Sequence, residues 1–182
     1  RDSTGICFIG ERNFDPFIAR YLAANPGPMR TPEGVLVGEH RGLQFYTIGQ
    51  RGGLNIGGRR GSSGEPWFVA GKSLMDNRLI VVQGDHPALY GRKLQTEAMH
   101  WISGHSPGDR FECTAKIRYR QTDQECAVRA IESPVGAVEV QFQQGQRAIT
   151  PGQSLVLYDG DVCLGGGVIA ASDAYAGGLA VS

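Results

Sequence analysis

Two stretches of this chain have residue types and spacing that could do chemistry. The first is Asp2-Ser3-Thr4-Gly5-Ile6-Cys7-Phe8-Ile9-Gly10-Glu11. A cysteine in a loop of glycines and hydroxyl residues is reachable and can be activated by local dipoles, as a nucleophile or sulfur carrier must be. Its neighbours Ile6, Phe8 and Ile9 equally describe an ordinary half-buried cysteine, so composition leaves both readings open. The second is Lys116-Ile117-Arg118-Tyr119-Arg120-Gln121. Phe111, Cys113, Ala115, Ile117 and Tyr119 alternate with Glu112, Thr114, Lys116, Arg118 and Arg120, which predicts a strand with one apolar and one basic face. Guanidinium groups clamp phosphates, while Tyr119 and Gln121, at or past the strand end, can stack on or hydrogen-bond to a base. The same alternation also describes a solvated face of a barrel strand.

Other chemistries find less support. Gly52-Gly53-Leu54-Asn55-Ile56-Gly57-Gly58 fits neither the dinucleotide fingerprint nor the P-loop, since no Gly-Lys-Ser/Thr follows. Gly165-Gly166-Gly167 sits inside an apolar run, where it predicts a bulge or a close backbone approach. His40 and His86 lack partners at metal spacing, so no metal site is expected. Cys113, Cys126 and Cys163 lie in apolar strand contexts and are expected in the core. None offers Cys7 a suitable resolving thiol, which weakens a redox reading.

Several elements must position these groups. Asn13 as an N-cap, Pro16 in the first turn and Phe14, Phe17, Ile18, Tyr21 and Leu22 predict a helix over 14–23, ended by Asn25-Pro26-Gly27-Pro28. Short strands are predicted at Val35-Leu36-Val37 and Gln44-Phe45-Tyr46-Thr47-Ile48. Pro66-Trp67-Phe68-Val69-Ala70 is expected to pair with Leu79-Ile80-Val81-Val82 across Asp76-Asn77. The glycine-rich stretch 51–65 reads as a long exposed loop. From about Leu94 the pattern is all β, with Asp159-Gly160-Asp161 marking a hairpin, and five or six short strands suggest a small closed barrel. The expected fold is therefore mainly β (α+β): a loop over 1–12, a small central domain with one helix over 13–77, a C-terminal β-barrel over 78–172, and a frayed tail.

Composition bounds the rest. The 182 residues carry 18 Lys+Arg against 18 Asp+Glu, which removes the argument for nucleic-acid binding from net charge alone. Charge is uneven, however: 41–60 holds Arg41, Arg51, Arg59 and Arg60 with no acid. No apolar run approaches the roughly 20 residues of a membrane span, no signal-type segment opens the chain, and four scattered cysteines fit a reducing cytoplasm.

Taken together, these stretches resemble one family, the tRNA-specific 2-thiouridylases. The resemblance rests on the Cys7 loop, Val37-Gly38-Glu39-His40-Arg41-Gly42-Leu43, Tyr46-Thr47-Ile48-Gly49-Gln50-Arg51 and Gly53-Leu54-Asn55-Ile56-Gly57-Gly58. It continues through Ala115-Lys116-Ile117-Arg118-Tyr119-Arg120-Gln121, Thr150-Pro151-Gly152-Gln153 and Cys163-Leu164-Gly165-Gly166-Gly167. It implies an enzyme that adenylates the wobble uridine of tRNAs for Lys, Glu and Gln with ATP and then installs sulfur from a cysteine persulfide. Cys7 would bear the persulfide, delivered by a sulfur-donor protein. Arg118, Tyr119 and Gln153 would contact tRNA, and Lys116, Arg120 and Arg51 are further candidates. The family's N-terminal Ser-Gly-Gly-x-Asp-Ser loop and first catalytic cysteine have no counterpart here. The expectation is a central and C-terminal part that docks tRNA as a monomer, binds no membrane and is catalytically silent alone. A stand-alone RNA- or protein-binding barrel is the rival reading.

Overall fold

The computed structural model describes residues 24–57 and 64–174. The Cys7 loop and the helix expected over 14–23 lie outside the described residues. Among the described residues there is no α-helix, only two 3-10 turns, Leu43–Phe45 and Pro87–Leu89.

The first unit is a four-stranded sheet of β1 (Gly27–Arg30), β2 (Leu36–His40), β3 (Trp67–Ser73) and β4 (Arg78–Gln83), in the order β2-β1-β4-β3. The β3–β4 hairpin forms across the expected turn, where Asn77 takes a positive φ of 46°. Strand β1 was hidden from the sequence by Gly27 and Pro28, which read as chain breakers. Proline is tolerated because β1 pairs with β4 only through Met29 and Arg30, leaving Pro28 outside that ladder. β4 pairs on both edges and buries both faces. Leu79 and Val81 join Met29, Leu43, Phe45, Tyr46 and Leu54 on one side; Ile80 and Val82 meet Leu89 on the other. That explains its unbroken apolar run.

The strand expected at residues 44–48 does not form. Phe45 and Tyr46 donate their N–H groups back to Gly42 and Leu43 in a 3-10 turn and bury their rings. Their aromatic character reflects burial in the core, not strand pairing.

The second unit is a closed six-stranded barrel of β5 (Tyr90–Thr96), β7 (Arg110–Lys116), β8 (Gln124–Ala130), β9 (Val138–Arg147), β10 (Ser154–Asp159) and β11 (Val162–Ser172). The ladders run β5-β9-β8-β7-β10-β11 and return to β5. A two-residue strand β6 (His100–Trp101) adds to β11. Inward residues including Leu94, Ala115, Val128, Val140, Phe142, Leu155, Leu157 and Ile169 fill the interior. Closure removes the exposed edges that an open sheet would leave. The two sheets divide between Gln83 and Tyr90 rather than at the expected 77/78, because β4 pairs with β3 and β1.

Glycines 165 to 167 allow the close approach expected of them. A Cβ on Gly165 would lie 2.3 Å from the His100 carbonyl oxygen, and one on Gly167 would lie 2.6 Å from the Met99 sulfur. Cys163, expected in the core, is exposed at the start of β11 beside the Gly160–Asp161 turn. Cys113 and Cys126 face one another across β7 and β8 with their sulfurs 3.8 Å apart. The hydrogen bond between the two thiols holds the Cys126 pKa above the ordinary thiol range and lowers that of Cys113.

Candidate nucleic-acid interface

The basic stretch begins on β7 but does not stay there. β7 ends at Lys116, where its ladder to β10 also ends at Val156. The Gln121 N–H then donates to the Arg118 carbonyl at 3.1 Å, closing a turn over residues 118–121. Lys116, Arg118 and Arg120 therefore do not share one strand face, contrary to the alternation. The reason lies in a side chain: Gln121 Oε1 accepts the Ile117 N–H at 3.0 Å and replaces a ladder partner. A polar residue that captures a nearby backbone donor competes with continued strand.

The turn divides its charged groups. Lys116 Nζ lies 3.3 Å from the Asp123 carboxylate and 5.2 Å from the Tyr158 ring centre, so its charge is largely met within the protein. Arg118 is exposed, yet its Nη2 donates to the Ala148 carbonyl at 3.2 Å. Tyr119 is 94% exposed, and Arg120 is exposed beside it. An aromatic ring held out in water between two arginines can stack on an unpaired base while the guanidiniums meet phosphate.

Arg118 also marks where the two units meet. The Ala148 carbonyl that it holds accepts the Thr150 hydroxyl at 3.0 Å, and the Ala148 N–H donates to the Leu89 carbonyl. Ala148 has a positive φ of 55°. Gly49, from the first unit, packs so closely that an added Cβ would lie 2.7 Å from the Ala148 Cβ and 3.7 Å from Arg118 Nη2. Gly49 also has a positive φ, and its N–H donates to Val69 on β3 at 2.7 Å. Gln50 braces the same loop by accepting from the Thr47 N–H and donating to the Gly52 carbonyl, each at 2.8 Å. Across the junction Arg147 stacks over the Phe68 ring at 4.6 Å.

Arg51 and Gln153 lie on loops that flank this junction. Arg51 is exposed at the rim of a cleft of about 370 Å³, lined also by Leu54, Ile56, Trp67 and Gln83. Gln153 is exposed, with its backbone tied to Thr150 and Ile169. Sequence reasoning missed Gly49, Ala148 and Thr150 as a junction and Gln146 as a support. Nothing in the pattern marks an alanine for a left-handed conformation.

Other sites supply less. His40 is 1% exposed; Nδ1 accepts the Gly42 N–H at 3.1 Å, which leaves Nε2 to donate to the Asn77 carbonyl at 2.9 Å. Its role is to tie β2 to the β3–β4 turn. Among the described residues no group of three or more His, Cys, Asp or Glu could hold a metal ion. Gly53 and Glu65 help line the cleft beside Arg51, and Gly165 to Gly167 pack against Trp101, Leu155 and Met99. No helix among the described residues is long and apolar enough to cross a membrane.

Comparison of the sequence with known proteins finds two family descriptions that match it. Residues 15–83 match the "tRNA methyl transferase PRC-barrel domain", and residues 91–169 match the "Aminomethyltransferase beta-barrel domain". The tRNA-specific 2-thiouridylase MnmA of Nitrosococcus oceani is 55% identical over 175 residues, covering 96% of this chain and 47% of that protein. Its counterpart in Methylococcus capsulatus is 57% identical over 172 residues, covering 93% and 46%. That of Paraburkholderia xenovorans is 56% identical over 170 residues, covering 93% and 45%.

The chain belongs to the tRNA-specific 2-thiouridylase family. It spans about half the length of the curated relatives it matches. Gly49, Arg118 and Thr150, from three separate stretches of the sequence, meet at Ala148.

Proposed function

We propose that this chain carries the tRNA-docking surface and the sulfur-bearing cysteine of a tRNA 2-thiouridylase. The observation that supports it most directly is the turn at residues 118–121. It presents Tyr119 and Arg120 to solvent and ties Arg118 to Ala148 at the seam between the two units. Arg118, Arg120 and Arg51 meet phosphates, Tyr119 stacks, and Gln153 supplies hydrogen bonds from the neighbouring loop. Lys116 contributes less, because Asp123 already answers its charge. ATP-dependent activation of the wobble uridine belongs to sequence outside the matched half of the relatives. Cys7 carries the sulfur that replaces the uridine oxygen, delivered by a donor protein, and tRNAs for Lys, Glu and Gln are the substrates.

The docking half is tested by fluorescence anisotropy of this chain with a labelled tRNA(Glu) transcript at two salt concentrations, with an unrelated tRNA as control. Salt-sensitive binding that prefers tRNA(Glu) is expected, since each neutralised phosphate adds to the salt dependence. Absence of binding at low salt would remove the docking surface from these residues. The sulfur half is tested by Cys7→Ser in the full-length protein. Thiolation is expected to disappear while tRNA affinity stays; retained thiolation would end the persulfide assignment.

A further inference from the structure

The turn at residues 118–121 is not held by strand pairing, which raises the question of what fixes its exposed side chains. The answer is a directed chain of amides. Gln121 Oε1 accepts the Ile117 N–H at 3.0 Å, and Gln121 Nε2 donates to Gln146 Oε1 at 2.6 Å. Gln146, on β9 and 3% exposed, donates to Gln124 Oε1 and to the Gln144 carbonyl, each at 3.0 Å. Gln124, on β8, donates to the Thr122 carbonyl and hydroxyl and the Asp123 carbonyl. Every amide NH2 group thus points to the next acceptor. The chain runs from the root of the turn into the barrel and back to the loop that follows the turn.

Such an array suits positioning more than bulk stability. A buried polar group contributes little net energy even when satisfied, but it fixes geometry because each alternative orientation leaves a donor or acceptor unmet. Apolar packing through Ile117 would hold the turn's root to the core without specifying how residues 118–121 project. The amides specify that projection: Gln121 is locked at both ends of its side chain, and its own N–H closes the turn on the Arg118 carbonyl.

We infer that Gln146 and Gln121 are positioning residues for tRNA docking, holding Arg118, Tyr119 and Arg120 in the conformation that nucleic acid meets. This rests on the docking reading above, so the test separates the two. In the full chain, Gln146→Met keeps the volume and removes the amide. The expected result is faster hydrogen exchange at the Ile117 amide, a modestly lowered melting temperature in a protein that still folds, and a several-fold loss of tRNA(Glu) affinity. Gln121→Met, at a half-buried site, should reproduce all three and serves as the deciding variant if Gln146→Met does not fold. Faster exchange at Ile117 with unchanged affinity overturns the inference while leaving docking intact. Unchanged exchange at Ile117 overturns it too, because the amide chain would not be holding the turn. If Arg118→Ala and Tyr119→Ala leave affinity unchanged, the docking reading falls and the inference falls with it.

Discussion

The two arginine-bearing stretches use similar residues to different ends. Around Arg41 the exposed guanidinium rests against an aromatic ring: Arg41 lies 4.7 Å over the Phe45 ring, and His40 beside it is buried and hydrogen-bonded at both nitrogens. Around Arg118 the side chains are turned outward, and the bracing is done by uncharged glutamines and a backbone carbonyl. Net positive charge in a sequence window therefore does not identify a binding surface. A surface that can bind is one whose positioning is carried by other groups, so the charged ends remain available.

The sharpest way to break this contrast is His40→Ala. It leaves the Gly42 N–H and the Asn77 carbonyl without their partner and opens a cavity, so the first sheet should lose about 2–4 kcal/mol by denaturant unfolding. The salt slope of tRNA binding measured on the folded protein should not change. A slope change would mean the His40 region takes part in docking.

Next in size is a set of arginine replacements read by the salt slope. Arg118→Ala should weaken tRNA binding and lower the slope by about one, because one phosphate contact is lost. It should also cost about 1 kcal/mol of stability through the Ala148 bond. Arg51→Ala should lower the slope similarly with no change in melting. Arg41→Ala should do the reverse, losing about 0.5–1 kcal/mol from its place over Phe45 with the slope intact. If Arg41 and Arg118 behave alike, the distinction between a ring-held charge and one projecting from a braced turn is wrong.

The smallest effect concerns a charge on the barrel wall away from the turn. Arg129 Nη2 donates to Glu139 at 2.9 Å, and this hydrogen bond holds the Glu139 carboxyl below its ordinary pKa. A group whose pKa is depressed on folding contributes stability above its unfolded pKa and loses that contribution as pH falls through the folded value. The pair is partly exposed, so the contribution is a few tenths of a kcal/mol after screening. Glu139→Gln should flatten the acid limb of the stability profile by that amount and leave tRNA binding untouched.

Much of the fold was legible because it is written in local alternation. The β3–β4 hairpin, most barrel strands and the tight β10–β11 connection follow from period-two apolar patterns and turn residues such as Asn77 and Gly160. The stretches that carry the family resemblance were legible for the same reason, since a linear motif needs no partner to be read. Other readings failed where a contact outside the alternation decides. Residues 44–48 look like a strand, but their side chains are drawn into the core of the first sheet. Gly27-Pro28 looks like a break, but a second ladder begins just after it. The alternation through Arg120 looks like a longer β7, but Gln121 captures the Ile117 N–H.

What the sequence by itself determined is the mainly β class, the closed barrel, the family and the charged and aromatic residues that we propose meet nucleic acid. Only the tertiary structure decided which of those groups are available. Asp123 engages Lys116, Gly49 and Ala148 bring the two units together beside Arg118, and Gln146 on β9 braces a turn 25 residues away in the chain. The physical reason is that a side chain's charge and shape are local properties, whereas its freedom depends on whichever donors and acceptors the fold brings within about 3 Å of it.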